Sequence, residues 1–158
     1  MTVRLWRIAA DTPQWTAEDM AGKGAAYKGS RWNEPGQHLT HASTSISLAA
    51  WETRAHLGPT GTALPMNRYL VRIDVPDAVW AARTILPRPP AVGWDAIPEG
   101  LVSRSIGSAW LESGASSLLV VPSVIIAEED NVLINPVHAD SAGIVATKLR
   151  RFQYDHRV

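Results

Sequence analysis

One stretch of the chain, from Tyr27 to Glu52, carries most of the side chains that could do chemistry. It opens on a glycine-punctuated loop that holds Arg31, and it ends with Glu52 on a segment of helical pattern. An arginine can donate two parallel hydrogen bonds to a phosphate. A carboxylate on the flank of a helix's apolar face can be partly buried while still reaching a cleft. The ordinary alternatives are a surface arginine and a solvated glutamate paired with Arg54 or His56.

The chain offers no other readable catalytic or metal-binding motif. It has no cysteine, no GxxxxGK[ST] phosphate loop, no HExxH helix and no GxSxG turn. His38 and His41 are close in sequence, but their neighbours Gly36, Thr40 and Thr44 favour an extended segment over a shared helix face. We therefore expect no metal cofactor.

Composition limits the class of protein and its partners. The 158 residues suit one domain, residues 1–158, and 15 basic residues balance 15 acidic ones. Nucleic-acid binding usually requires a basic excess, so direct contact with nucleic acid is not expected. Arg4 and Arg7 interrupt the apolar N-terminus, and no segment approaches the ~20 apolar residues of a membrane span. We expect a soluble, cytoplasmic protein.

Hydrophobic patterns predict an α+β fold in which strands dominate the second half. The clearest helix follows Ser43 or Ser45 as its cap and stops at Gly58–Pro59, which places Glu52 on the flank of its apolar face. A second helix should end at Gly114. Strands are predicted at 3–9, 38–43 and 67–76, in a hairpin over 116–136, and near the C-terminus.

Two segments near the N-terminus carry start or break signals. Thr12 could cap a helix with Pro13 at its first position. The glycine-rich segment from Ala21 to Ser30 is predicted to be loop, or strand interrupted by loop. Trp32 is expected to anchor that loop in the core, and Asn33 to stabilise a turn.

Four blocks in order carry a family resemblance. They are LWRIA at 5–9, GSRWNEPG at 29–36, LTHASTSISLAAWE at 39–52 and VPSVIIAEEDNVLINPVH at 121–138. In these blocks the sequence resembles the RES-domain family, toxins of bacterial toxin–antitoxin pairs. Because the blocks span nearly the whole chain, the resemblance is more specific than any single motif.

The resemblance implies a fold, a substrate and a set of site residues. The fold would be similar to that of diphtheria-type ADP-ribosyltransferase toxins, with a split β-sheet core and NAD in a central cleft. Carried onto this chain, the family's pocket arginine is Arg31, its glutamate Glu52, its serine Ser123 and its asparagine Asn135. Glu52 would hold the ribose and Arg31 the pyrophosphate. Ordinary explanations are a backbone-bonded strand hydroxyl for Ser123 and a strand-end turn for Asn135.

The chain departs from the family pattern at its tyrosine. That position falls on His41, whose planar ring could stack on nicotinamide or form a hydrogen bond. Tyr27, four residues before Arg31, is a possible aromatic substitute. His41 is therefore the residue on which we expect this chain to differ from its family.

The leading hypothesis is an NAD-consuming toxin of a type II toxin–antitoxin system. It would cleave NAD at the nicotinamide–ribose bond and pass ADP-ribose to water, phosphate or a protein. One alternative is a dedicated protein ADP-ribosyltransferase, and another is a non-catalytic binding module on the same fold. The family implies a cognate antitoxin with an Xre-like helix-turn-helix, and homodimerisation within the complex is plausible.

Overall fold

The structure is a computed structural model that describes residues 1–59 and 61–158. The elements in chain order are β1 (Thr2–Ala10), α1 (Lys23–Lys28), β2 (Thr40–Ser43), α2 (Ile46–Ala55), β3 (Arg68–Pro76), α3 (Asp77–Ala81), β4 (Thr84–Ile85), α4 (Leu101–Ser113), β5 (Leu118–Pro122), β6 (Asp130–Ile134), a 3₁₀ turn (Ala139–Gly143) and β7 (Val145–Arg151). This content confirms the α+β prediction. Within the described ranges, no helix combines the length and apolar character that crossing a bilayer requires.

All seven strands belong to one sheet, in the order β4-β5-β6-β2-β1-β3-β7. The pairs are antiparallel except β4 with β5, which is parallel. β1 and β3 pair along their whole length, from Thr2–Pro76 to Ala10–Arg68. β1 meets β2 only at Trp6 and Ser43. The sheet therefore consists of two well-paired halves that join through a single register pair.

Apolar side chains cover both faces of this sheet. One face carries the largest cluster, which runs across both halves and includes Leu5, Val71, Ile73, Val120 and Val132. The opposite face carries two separate clusters. Trp32, Trp110, Leu119 and Leu133 pack on the β5–β6 half, while Ile8, Ala49 and Leu70 pack on the β1–β3 half. The junction between the halves thus lies between two apolar cores.

Alternation along β2 and β6 brings polar side chains to that junction. Successive residues of a strand point to opposite faces. His41 pairs with Leu133 and Ser43 pairs with Asn131, so these four residues share the face of the two separate clusters. Ala42 and Val132 point to the other face and lie in the largest cluster. The strand pattern alone therefore places a histidine, a serine and an asparagine on one face of the sheet, near the junction.

The two N-terminal predictions were wrong. No helix follows Thr12; its Oγ1 accepts hydrogen bonds from the amides of Gln14 and Trp15, and Asp11 Oδ1 accepts from Ala17 N, so the segment folds as turns. The glycine-rich segment instead contains helix α1. Gly22 (φ 71°) and Gly29 (φ 75°) flank α1 and supply the backbone conformations that begin and end it. Glycines read as loop signals are here the boundaries of a helix.

Helix α4 fixes the loop that carries Arg31. Gly107 lies against the backbone of Trp32, so closely that a Cβ there would stand 1.7 Å from the Trp32 carbonyl oxygen. Arg104 Nε donates to the Ser30 carbonyl at 3.0 Å, and Ser108 Oγ donates to Gln37 Oε1 at 2.8 Å. The helix also ends at Gly114, as predicted from the sequence. One helix face therefore positions residues 30–37.

We predict that Gly107→Ala destabilises the protein by about 1–3 kcal/mol, the usual cost of overpacking. Alanine gains about 1 kcal/mol of helix propensity over glycine, so a net loss would show that the contact with the loop outweighs it. Chemical denaturation measures the difference. Ser105→Ala on the exposed side of the same helix is the matched control and should be neutral or slightly stabilising. A Gly107→Ala protein as stable as wild type would contradict this packing.

Candidate functional site

Glu52 is placed by helix α2. Ser45 caps the helix by accepting a hydrogen bond from Leu48 N at 3.1 Å, one of the two caps predicted. Leu48 and Ala49 are buried against the sheet. Because residues four apart lie on the same side of a helix, Glu52 follows Leu48 and is directed toward the sheet junction. The carboxylate is half-buried there rather than solvated.

Two side chains hold one oxygen of the Glu52 carboxylate. Ser123 Oγ donates to Oε1 at 2.5 Å, and Asn131 Nδ2 donates to the same oxygen at 2.7 Å. Ser123 is fully buried, and its hydroxyl also accepts from the amides of Ile125 and Ile126 at 3.0 Å each. Those amides occupy the hydroxyl's acceptor positions, so its single proton goes to Glu52.

Asn131 links this carboxylate to the other side of the junction. Its Oδ1 accepts a hydrogen bond from Ser43 Oγ at 2.7 Å. Ser43 is also the β2 residue that pairs with Trp6 of β1. Four polar side chains thereby connect helix α2 with the end of β5, β6 and β2. They do so at the only point where the two half-sheets pair within residues 1–59 and 61–158.

The second carboxylate oxygen remains available. Within residues 1–59 and 61–158, Glu52 Oε2 has no hydrogen-bond partner and is not among the buried unpaired atoms. Hydrogen bonds to a charged acceptor are short and about twice as strong as neutral ones, so Oε1 is firmly positioned. The arrangement presents one oriented, negatively charged oxygen that a ligand can reach.

The carboxylate cluster consists of Glu52, Ser123, Asn131 and Ser43, and the sequence predicted two of these as site residues. Glu52 and Ser123 were both candidates, and the structure brings them together. Asn131 was missed, although its place at the start of a predicted strand, one period from buried Leu133, put it on the same face. The register that sets it opposite Ser43 joins segments 88 residues apart and cannot be read from either segment alone.

His41 lies on the same sheet face, two residues before Ser43. Its Nε2 is 3.2 Å from Ser30 Oγ, which connects β2 to the loop held by α4. Burial, aided by the positive charges of His56 and Arg7, lowers the pKa of His41 from 6.5 to about 4. The imidazole is therefore neutral at physiological pH.

Arg31 braces a neighbouring loop. Its Nη1 donates to the carbonyls of Trp94 at 3.1 Å and Ala96 at 2.9 Å. Nε and Nη2 have no hydrogen bond in the described part of the chain and remain able to bind an anion. Trp32 beside it is buried and stacks on Trp94 at 6.0 Å between ring centroids, which confirms its predicted role as a core anchor.

Two other candidates, Tyr27 and Asn135, do not belong to the hydrogen-bonded cluster around Glu52. The Tyr27 side chain is 78% exposed on α1. Asn135 is buried just beyond β6, about 13 Å of extended chain past Asn131, and its Oδ1 accepts from Val137 N at 3.2 Å. It borders a cavity of about 210 Å³ beside His38 and Leu111. In the described residues neither Asn135 nor Tyr27 forms a hydrogen bond with the Glu52 carboxylate, and their place in the pocket stays a prediction.

Glu52 does not line the second, larger cavity at the surface either. It has a volume of about 340 Å³ and is lined by Trp51, Arg54, Ala55, Gly58, Pro59, Ile125 and Val158. These residues follow the outer side of α2 and are mainly apolar. We place the functional site at the junction instead, because the oriented carboxylate is there.

We predict that Asn131→Asp destabilises the protein at pH 7, because two carboxylates would then face each other at hydrogen-bond distance. Repulsion raises the pKa of such a pair above its unfolded value. The lost stability should therefore return as the pH falls through the carboxylate range. Denaturation midpoints of variant and wild type between pH 7 and pH 4 measure the effect.

The reciprocal change supplies the control. Glu52→Gln combined with Asn131→Asp leaves one carboxylate and so removes the charge repulsion, but the single atom that faces both Ser123 and residue 131 cannot accept from one and donate to the other. We expect this double variant to recover part of the stability at pH 7 that Asn131→Asp loses. Simple additivity of the two changes would contradict a direct Glu52–Asn131 interaction.

The pKa of His41 generates a separate prediction. Because its folded-state pKa is about 4 and its ordinary value 6.5, the unfolded chain takes up a proton between these values while the folded chain does not. Stability should fall as the pH drops through this window, by up to about 3.5 kcal/mol at roughly 1.4 kcal/mol per pKa unit. His41→Gln should lack this component. An identical pH dependence in both proteins would contradict it.

Comparison with known proteins identifies the family of the chain. The family model described as "RES domain" matches residues 4–155. A protein named "Prs ADP-ribosylating toxin" from Sphingobium sp. (strain YBL2) is 50% identical over 159 aligned positions, which cover 100% of this chain and 98% of that relative. A "Toxin Res" from Pseudomonas putida is 35% identical, covering 89% and 90%, and another from Yersinia enterocolitica is 30% identical, covering 79% and 80%. The chain belongs to the RES-domain toxin family.

Proposed function

We propose that this chain is a toxin that transfers ADP-ribose from NAD to a protein. The observation that carries the proposal is the Glu52 carboxylate, with Oε1 held by Ser123 and Asn131 and Oε2 available at the sheet junction. The name of the Sphingobium relative, which matches along the whole chain, supports ADP-ribosylation as the reaction.

Glu52 suits the step that breaks the nicotinamide–ribose bond. As the carbon–nitrogen bond breaks, its electron pair leaves with nicotinamide and the sugar carbon gains oxocarbenium character. A fixed negative oxygen nearby stabilises that positive charge more than it stabilises the substrate. An acceptor nucleophile then forms the new bond to the sugar carbon and releases its proton to water. Glu52 needs no proton of its own in this scheme.

Ser123 and Asn131 act on the carboxylate rather than on the substrate. Their hydrogen bonds to Oε1 fix the plane of the carboxylate, so Oε2 is already directed when charge develops. Preorganised groups avoid the energy of reorientation during the reaction. We therefore assign them positioning roles.

Arg31 is the candidate for the pyrophosphate. Nη1 is engaged by the carbonyls of Trp94 and Ala96, which fixes the guanidinium plane, while Nε and Nη2 can still donate. Carbonyl oxygens do not neutralise the charge, so the group keeps its attraction for phosphate. Two properties of Arg31 support this assignment: it is a cation of fixed orientation, and it lies on the loop that contacts His41 through Ser30.

The protein that we propose as acceptor is Prs. It is the acceptor in the printed name of the 50% identical relative. Transfer to water or phosphate is the competing outcome, since three further relatives are named only "Toxin Res". That toxin naming also supports a cognate inhibitory partner, for which an Xre-like helix-turn-helix protein remains our prediction.

The direct test is incubation of the purified chain with NAD labelled in its adenylate half and with Prs from Sphingobium. We expect label on Prs, and at least a hundredfold slower labelling by Glu52→Gln, the typical effect of removing a preorganised electrostatic group. Ser123→Ala should give a smaller loss because Asn131 still holds Oε1.

A fold control accompanies this assay. Glu112→Gln changes a glutamate on α4, outside the carboxylate cluster, and should label Prs at the wild-type rate. Label that appears only as free ADP-ribose would favour transfer to water. Nicotinamide release that is unaffected by Glu52→Gln would contradict the proposed role of the carboxylate.

A further inference from the structure

We propose that Ser30 and Asn33 hold His41 as a neutral imidazole protonated on Nε2, which makes its Nδ1 a fixed hydrogen-bond acceptor for the substrate. Ser30 and Asn33 are positioning residues in this scheme, since they act through His41. The tautomer follows from the structure alone. Only the identity of the substrate, NAD, rests on the proposed function.

The orientation of the Asn33 amide is fixed by its surroundings. Asn33 is fully buried, and its Nδ2 lies 3.0–3.1 Å from three carbonyl oxygens, those of Ala25, Glu34 and Gln37. Carbonyl oxygens only accept hydrogen bonds, so the NH₂ group must face them. Asn33 Oδ1 therefore faces Ser30 and can only accept.

This orientation decides where the Ser30 proton goes. Ser30 Oγ donates to Asn33 Oδ1, because otherwise a buried carbonyl oxygen would face a lone pair without a hydrogen. Trp32 N donates to Ser30 Oγ at 3.2 Å and fills one of the two acceptor positions of the hydroxyl. The Ser30 hydroxyl has then donated its only proton, and one of its acceptor positions remains.

His41 Nε2, 3.2 Å from Ser30 Oγ, must supply the remaining hydrogen. An imidazole that carries its proton on Nε2 and is neutral has a lone pair on Nδ1. The low pKa of His41 agrees with the neutral form. The chain of donors thus runs from His41 through Ser30 to Asn33, and it ends in an amide whose own hydrogens face main-chain carbonyls.

Nδ1 is left to meet a ligand. It has no hydrogen-bond partner in residues 1–59 and 61–158, and it is not among the fully buried unpaired atoms. His41 shares its sheet face with Ser43 and Asn131, the residues that lead to Glu52. A ligand bound at the carboxylate therefore lies on the same face of the sheet as His41, which is two residues along β2 from Ser43.

Because Nδ1 of His41 only accepts hydrogen bonds, it can bind only one class of substrate group. Nδ1 can bind an N–H or O–H of the substrate but repels carbonyl and carboxylate oxygens. In NAD such donors are the carboxamide of nicotinamide and the ribose hydroxyls. A tyrosine at position 41 could both donate and accept a hydrogen bond, whereas Nδ1 of the histidine can only accept one.

The tautomer is measured by two-bond ¹H–¹⁵N correlation spectra of the full ¹⁵N-labelled chain at pH 7. The expected spectrum shows His41 protonated on Nε2, with Nδ1 shifted to the position of an unprotonated nitrogen. In Ser30→Ala the two His41 nitrogens should move toward each other as the tautomers mix, whereas Ser105→Ala should leave them unchanged. A wild-type His41 protonated on Nδ1, or already mixed, would overturn the proposal without any variant.

Titration with nicotinamide and, separately, with ADP-ribose tests the acceptor role. A change in the Nδ1 shift upon binding of nicotinamide would assign the donor to the carboxamide, and a change with ADP-ribose would assign it to a hydroxyl. Binding of both with no change at Nδ1 would overturn the acceptor role. These spectra need no turnover, so a chain that fails to label Prs could still confirm the tautomer, and the two proposals fail independently.

Discussion

The hydrogen bonds that converge on one oxygen of Glu52 are the constraint on which the site depends. They come from the end of β5 and from β6, and through Asn131 they reach Ser43 on β2. In the part of the chain that the structure describes, the two half-sheets pair at Ser43 and Trp6 alone, so this polar cluster occupies the point with the least backbone pairing. The junction lies between two apolar cores, and the polar cluster at the junction orients the carboxylate. The same four side chains therefore connect the two half-sheets and carry the reactivity that we propose.

A second set of contacts positions the loop at residues 30–37. Helix α4 presents Gly107 to the backbone of Trp32, which brings residues 30–37 against the sheet. The loop in turn contacts His41 through Ser30 and directs Arg31 toward the loop at residues 94–96. The charged group that we propose for phosphate and the neutral acceptor that we propose for a donor group are thus both positioned through the same loop. The fold separates their positioning from that of Glu52, which belongs to α2.

Local patterns predicted the parts of this protein that are decided locally. The alternation of Val71, Ile73 and Val75 predicted β3, and Ser45 predicted the start of α2 and so the place of Glu52. Helix α1 was missed because its flanking glycines are equally common in loops. Asn131 was missed because its role depends on strand register, which joins segments that are distant in sequence. The resemblance supplied Arg31, Glu52 and Ser123 as candidates, but only the structure shows which of them touch.

The central claim is that Glu52 faces the sugar carbon from which nicotinamide departs. The most direct test is a crystal structure of the Glu52→Gln chain with intact NAD bound. The account predicts the nicotinamide ribose within hydrogen-bond distance of residue 52, with Ser123 and Asn131 still holding its side chain. A dinucleotide bound in the apolar cavity beside Trp51, or with its nicotinamide ribose remote from residue 52, would contradict it.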